Sequence, residues 1–199
     1  MLISAAEERK KGLTALYIDG EYAVSIDTVT FASSPFKIGS DINDEQLYEL
    51  IQSSNINRAK EKALYLIEYR PRSRKEVEDK LVPLFGEEAS DKAIERLEEL
   101  GLIDDEDFAR RYAQQLFESK HFPAQRVFYE LIKKGIDRDI IDEVIEELEV
   151  DPCEQIEIII SKKYARCLDD EKGRQRAING LRAMGFNWQD IKECLDSSY

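Results

Sequence analysis

The sequence predicts a mainly α protein: a tandem array of three three-helix repeats, elongated and curved, with a small N-terminal β-hairpin. Three observations carry this reading. Apolar residues recur at helical spacing through residues 59–199. A weak period relates Leu81, Leu131 and Leu181, which stand 50 apart and are each followed shortly by a glycine, Gly86, Gly135 or Gly185. The clearest strand signal is confined to residues 13–26, LTALYIDGEYAVSI.

Within that segment Asp19-Gly20 suits a two-residue hairpin turn, because both positions tolerate positive φ. Counting outward, Ile18 faces Glu21, Tyr17 faces Tyr22 and Leu16 faces Ala23. A lone hairpin is marginal, so it needs a surface or a further strand, for which residues 27–33 are the candidate. Ser33-Ser34-Pro35 and Gly39-Ser40 read as loop. Asn43 or Asp44 can cap a helix carrying Leu47, Leu50 and Ile51. Ser53-Ser54-Asn55 reads as a break before a helix from about Arg58 to Tyr69.

Residues 68–113 hold the densest boundary chemistry. Arg70-Pro71-Arg72-Ser73 cannot be helix interior, since proline lacks the donor N–H and biases Arg70 away from helical angles. Ser73 reads as an N-cap, with Glu76 completing a capping box. The helix it opens should bury Val77 and Leu81, weaken at Pro83 and end at Gly86. A second helix carries Ala93, Ile94, Leu97 and Leu100 and stops at Gly101. Asp104 caps a third, with Ile103 and Phe108 placed as a hydrophobic staple. The later copies repeat this logic: Ile136-Asp137 and Phe186-Asn187 are staple-plus-cap pairs, with Ile141 and Ile191 as the apolar partners. The leading helices fall at 59–69, 105–119 and 154–165, with breaks at Arg70-Pro71, His121-Phe122-Pro123 and Leu168-Asp169-Asp170.

The expected organisation is therefore 1–58 for the hairpin and connecting helix, then repeats at 59–104, 105–149 and 150–199. A unit of about 45 residues barely buries a core alone, so stacking of copies is the physical expectation. Residues 149–152 are the expected place for a bend.

Composition narrows the function. With 42 acidic and 29 basic residues the net charge is −13. Such a chain is repelled by nucleic acid at long range, so any contact must rest on local basic patches. No apolar run is long enough to span a membrane, and the start of the sequence has no export pattern. Cys153, Cys167 and Cys194 form no Cys-x-x-Cys pair, which disfavours a disulfide framework or zinc site and fits a reducing cytoplasm.

The search for catalysis is thin. His121, the only histidine, has no nucleophile partner in any motif and reads as an exposed turn residue. The acids at 104–107 suit a helix N-terminus better than a cation, since the dipole favours them there and no calcium-loop glycine is present. No phosphate-cradling glycine loop exists, so no enzyme and no cofactor are expected.

The candidates for partner binding are basic: Arg70, Arg72, Arg74, Arg110, Arg111, Arg126, Lys133, Lys134 and Arg174. Lys75, Lys162, Lys163, Arg176 and Arg182 extend the clusters. Arg74 and Arg174 both lie seven residues before their repeat leucine, so a stacked array could align such cations on one face. The competing reading is ordinary solvated charge interleaved with Glu and Asp. Arg70 and Arg72 are favoured because a proline-stiffened turn could aim both guanidinium groups at low entropic cost. Tyr65, Tyr69, Tyr112, Phe117, Phe122, Phe128 and Tyr129 read as core builders.

The run Arg70, Arg72, Ser73, Glu76, Val77, Lys80, Leu81, followed by Gly101, Leu102, Ile103, Asp104, Asp105, Phe108 and Ala109, resembles the RecX regulatory proteins of bacteria. The resemblance is specific over 59–149 and extends to the hairpin and the looser third copy. It implies tandem three-helix repeats and regulation of the recombinase RecA. Such a protein binds the RecA–DNA filament along its groove, blocks extension or promotes disassembly, and lowers ATPase and strand exchange in DNA repair, recombination and the SOS response. It implies a cytoplasmic monomer with RecA as partner, at most weak direct contact with DNA, and no membrane. Contacts spread over several repeats would gain affinity by avidity. A helical nucleic-acid-binding module acting without RecA is the second reading, and a generic helical scaffold the third.

Overall fold

The computed structural model describes residues 1–165 and 170–197. The described residues are mostly helical, with a small antiparallel sheet at the N-terminal end. They fall into two compact units, Met1–Ile103 and Asp104–Tyr199.

In the first unit, β1 (Ile3–Arg9), β2 (Leu13–Ile18) and β3 (Glu21–Asp27) pair in chain order. The expected turn is present: Asp19 and Gly20 take φ 51° and 90°. Tyr17 faces Tyr22, with ring centroids 6.0 Å apart and nearly perpendicular. Further out the expected register fails, because Leu16 faces Val24 and not Ala23. One extra residue on β3 makes a bulge there.

The third strand also corrects the sequence reading. It is β1, N-terminal to the hairpin, whereas Thr28–Ser33 forms the short helix α1. Residues 5–9 (AAEER) have a helix-favouring composition, and pairing with β2 overrides it. The 28–33 segment turns helical because Asp27 caps it: its Oδ1 accepts from Thr30 N and Thr30 Oγ1, both at 2.8 Å. Ile3, Leu16, Ile26, Ile42 and Leu50 fill the core beneath the sheet.

Helix α2 (Asp44–Tyr69) runs unbroken for 26 residues. Asn43 is its cap, in a reciprocal box with Gln46. The break expected at Ser53-Ser54-Asn55 is absent, and the position expected to separate 1–58 from the repeats lies inside the helix. Ser54, and Asn57 just beyond the expected break, face the first layer instead. Buried Ser54 accepts from Asp27 N at 2.7 Å, and Asn57 Nδ2 donates to Thr30 Oγ1 at 2.8 Å. The far half of α2 packs on α3 (Arg74–Phe85) and α4 (Glu87–Glu99) around Ala59, Ala63, Val77, Leu81, Ile94 and Leu97. α3 passes through Pro83 and ends at Gly86. Leu100, expected on the buried face, is 54% exposed. It lies past the last helical turn, where the chain closes through Leu102 N donating to Leu97 O at 2.8 Å.

The second unit holds two three-helix groups. Helices α5 (Asp105–Lys120), α6 (Ala124–Lys133) and α7 (Arg138–Glu147) enclose Phe108, Ala113, Phe117, Val127, Leu131 and Val144. Helices α8 (Pro152–Lys163), α9 (Glu171–Met184) and α10 (Trp188–Ser197) enclose Ile156, Ile159, Leu181, Phe186 and Ile191. The three period leucines, Leu81, Leu131 and Leu181, are all fully buried. The two later copies close alike, Ile136 N donating to Leu131 O and Phe186 N to Leu181 O, each at 3.2 Å. Asp104, Asp137 and Asn187 accept from N–H groups of the helices they precede, as expected. Ile103 and Phe108 are both buried, each in the core of its own unit.

The cysteines require a second correction. Cys153 on α8 and Cys194 on α10 form a disulfide, with Cα atoms 5.5 Å apart. Spacing could not signal a pair 41 positions apart that only the packing of two helices brings together. Cys167, Leu168 and Asp169 lie outside the described residues, while Asp170 caps α9 by accepting from Gly173 N at 2.5 Å.

Candidate interaction site

The turn between α2 and α3 is where the favoured arginines sit, and it is knitted from inside. Arg70 makes a two-pronged contact with Glu76, at 2.9 and 3.1 Å, and donates to the Pro71 carbonyl at 2.8 Å. Arg72 Nε donates to the carbonyl of Leu66 at 3.0 Å, which satisfies an acceptor that the end of α2 leaves open. Ser73, fully buried, accepts from Glu76 N at 3.3 Å and starts α3. Within the chain the turn thus holds both guanidinium groups on its own carboxylate and carbonyl partners, while Arg70 stays exposed.

Most remaining candidates also have partners. Arg74 reaches Glu98 at 2.5 Å and lies 3.9 Å from Asp91, and the Glu98 hydrogen bond raises its pKa above the ordinary arginine value. Arg110 bridges Glu106 and Glu147 at 3.0 and 3.1 Å, which likewise raises its pKa. Arg111 pairs with Asp107 at 2.9 Å and Lys133 with Glu130 at 2.9 Å. Lys134 lies over the Tyr112 ring, 5.5 Å from its centroid. Arg174 is exposed on the first turn of α9. The acids near 104 are similarly engaged, with Asp104 capping α5 while Glu106 and Asp107 hold arginines. Among the described residues no group of three His, Cys, Asp or Glu side chains could hold a metal ion. No described helix is long and apolar enough to cross a membrane.

Of the aromatics expected in the core, Phe117 is buried and Tyr112, Phe122 and Phe128 are half-buried. Tyr65, Tyr69 and Tyr129 are not core residues, and Tyr69 is 81% exposed. Their polar hydroxyls let them stand at the surface on helix positions that a simple apolar count assigns inward.

The sequence reading missed His121. It ends α5 in the left-handed conformation, φ 52° and ψ 43°. Its Nδ1 lies 3.1 Å from Oε1 of Gln155, a buried side chain on α8, and its Nε2 lies 3.0 Å from Lys162 Nζ. An ammonium can only donate, so Nε2 accepts and Nδ1–H donates to Gln155. Arg126, one of the predicted candidates, stacks over the Phe122 ring at 3.9 Å and donates to the Met184 carbonyl at 3.4 Å. His121, Phe122, Arg126, Lys162 and Met184 line a cavity of about 410 Å³ between the two three-helix groups of the second unit. A larger cavity of about 440 Å³ beside α1 is lined by Thr30, Ser33, Ser34, Glu49, Ser53 and Asn57 among others, without a cation.

Two family models, the first and second three-helix domains of RecX, match residues 59–97 and 104–145. A regulatory protein RecX of Clostridium beijerinckii is 33% identical over 187 residues, spanning 91% of this chain and 87% of the relative. The chain belongs to the RecX family of regulatory proteins. Another RecX, from Caldanaerobacter subterraneus subsp. tengcongensis, is 28% identical and matches 98% of this chain and 99% of its own length. A crystal structure of regulatory protein RecX shares the fold, with a TM-score of 0.71 over 98% of both chains at 21% identity. RecX from Lactobacillus salivarius superposes at 0.66, over 73% of this chain and 97% of its own, at 27% identity. The RecX family is a regulatory one and not a known family of enzymes.

Proposed function

We propose that this protein regulates the recombinase RecA by binding the RecA–DNA filament in its groove. Bound there, it limits filament extension and lowers ATPase and strand exchange, in DNA repair, recombination and the SOS response. The likeness to regulatory RecX proteins at 33% identity across 91% of the chain supports this reading above any other observation. The action is steric and distributed, and uses neither a catalytic residue nor a cofactor.

Arg70, Arg72, Arg74, Arg110, Arg111, Arg126, Lys133, Lys134 and Arg174 are the proposed contacts. Those already paired must exchange a carboxylate for one from the partner, which favours many modest contributions over one dominant anchor. Tyr65 and Tyr69 add exposed aromatic area beside the Arg70 turn. The protein is expected to act as a monomer in the cytoplasm. In that reducing compartment Cys153 and Cys194 would be neighbouring thiols.

The test is RecA's single-strand-dependent ATPase, titrated with the protein. Suppression at substoichiometric ratios supports the proposal, and an unchanged rate at equimolar protein rejects it. Binding of duplex without RecA, with a steep salt slope, would favour the second reading instead.

A further inference from the structure

We propose that Cys153 and Cys194 form a reversible redox switch that fastens the third helical group, α8 to α10. The two sulfurs stand on the first and last helices of that group, and packing of α8 on α10 sets their Cα atoms 5.5 Å apart. That separation lies in the range a disulfide bridges without moving the backbone. The contact joins residues 41 positions apart, so closing it ties the two ends of the group together. Among the described residues no third His, Cys, Asp or Glu side chain joins the pair to make a metal site.

Both states fit the same packing, which is what separates a switch from a permanent staple. Ile156, Ile159, Leu181, Phe186 and Ile191 close the core around Cys194 whether or not the bond is made. A free Cys194 thiol, 3% exposed, is at home there as a small apolar side chain. Cys153 is half-buried, in the first turn of α8 just after Pro152, so a small disulfide reaches it more readily than Cys194. This asymmetry sets the order of events. The oxidant is a low-molecular-weight disulfide, RSSR. The Cys153 thiolate attacks one of its sulfurs, giving a mixed disulfide and releasing RS⁻. The Cys194 thiolate then attacks the Cys153 sulfur, closing the bond and releasing the second RS⁻. The two RS⁻ take up the two protons that the thiols gave up. The chain is oxidised by two electrons and RSSR is reduced to two RSH. Excess RSH runs the same steps backwards. Closing the bond restricts the unfolded chain, so the group opens less often. For the proposed function this would hold the α9 contact, Arg174, in place more of the time, but the switch itself does not rest on that reading.

The full-length protein carrying Cys167→Ser, which leaves only these two sulfurs, is equilibrated in mixtures of oxidised and reduced glutathione. Free thiols are then alkylated and counted by mass spectrometry. Oxidised glutathione should close the pair and reduced glutathione should reopen it, in one reversible two-electron transition. Hydrogen exchange in α8 and α10 should slow about tenfold or more in the oxidised form, while α3 and α4 exchange alike in both. Cys194→Ala should trap the mixed disulfide at Cys153, whereas Cys153→Ser should leave Cys194 unmodified. Failure to close in excess oxidised glutathione, a bond that reduced glutathione cannot reopen, or equal exchange in the two states overturns the switch. So does loss of the helical fold of α8 and α10 on reduction, which would make the bond a requirement of folding. RecA takes no part in the measurement, so its outcome is separable from whether the protein modulates the filament.

Discussion

The turn after α2 and the turn after α5 do the same topological work with opposite chemistry. Each ends the leading helix of a three-helix group, contains a proline and is rich in cations. In the first, Arg70 and Arg72 are consumed by Glu76 and the Leu66 carbonyl. In the second, His121 and its neighbours face an open cavity with no acid on its wall. The first turn looked more functional in sequence because its arginines were denser and stiffer. Density of charge does not distinguish a brace from a site.

Several experiments can break that contrast. The largest effect is expected from reducing Cys153–Cys194. Closing this loop stabilises the native state by roughly 4 kcal/mol in the chain-entropy account. Reduction should therefore lower the urea midpoint of the last three helices, because the bond ties α8 to α10. An unchanged midpoint with dithiothreitol would mean that the bond does not close this loop. Next, Leu81→Ala and Leu131→Ala should each cost about 3 kcal/mol, since both leucines are fully buried. Denaturation followed by hydrogen exchange should show each loss in its own unit. If the two losses spread over the whole chain, the units are not separate folding bodies.

Ser73→Ala should cost about 1 kcal/mol, the ordinary effect of removing an N-cap. Arg72→Ala should cost a similar amount or slightly less, through the reopened Leu66 carbonyl. If Arg72→Ala leaves thermal unfolding untouched yet abolishes RecA inhibition, Arg72 acts as a contact and not as a brace. The smallest expected change in stability is that of Lys162→Gln, which removes one exposed contact to the His121 ring and should leave the melting temperature where it is.

The helical groups were legible because each boundary carries its own local chemistry. Ser73, Asp104, Asp137 and Asn187 all hydrogen-bond as caps, and the buried leucines keep their spacing. The misreadings share one cause, which is tertiary partners that no local window contains. Ser53-Ser54-Asn55 reads as a helix break, but the Ser54 hydroxyl is spent on Asp27 across the layer, as the nearby Asn57 is on Thr30. Residues 5–9 read as nothing in particular until β2 lies beside them. His121 read as a loop polar residue because Gln155 and Lys162 stand 34 and 41 positions away. Sequence marks Arg126 only as a basic residue, and packing sets the Phe122 ring beneath it.

The continuity of α2 has a mechanical consequence. At 1.5 Å per residue its 26 residues make a rod of about 39 Å. One end is bolted to the sheet through Ser54 and Asn57, and the other is clamped between α3 and α4. A chain begun at residue 59 would saw through this rod and leave its stump to fray. Torque applied to the sheet would travel along it to Leu66 and the Arg72 brace, so the small N-terminal domain is a handle on the first helical group and not an ornament beside it.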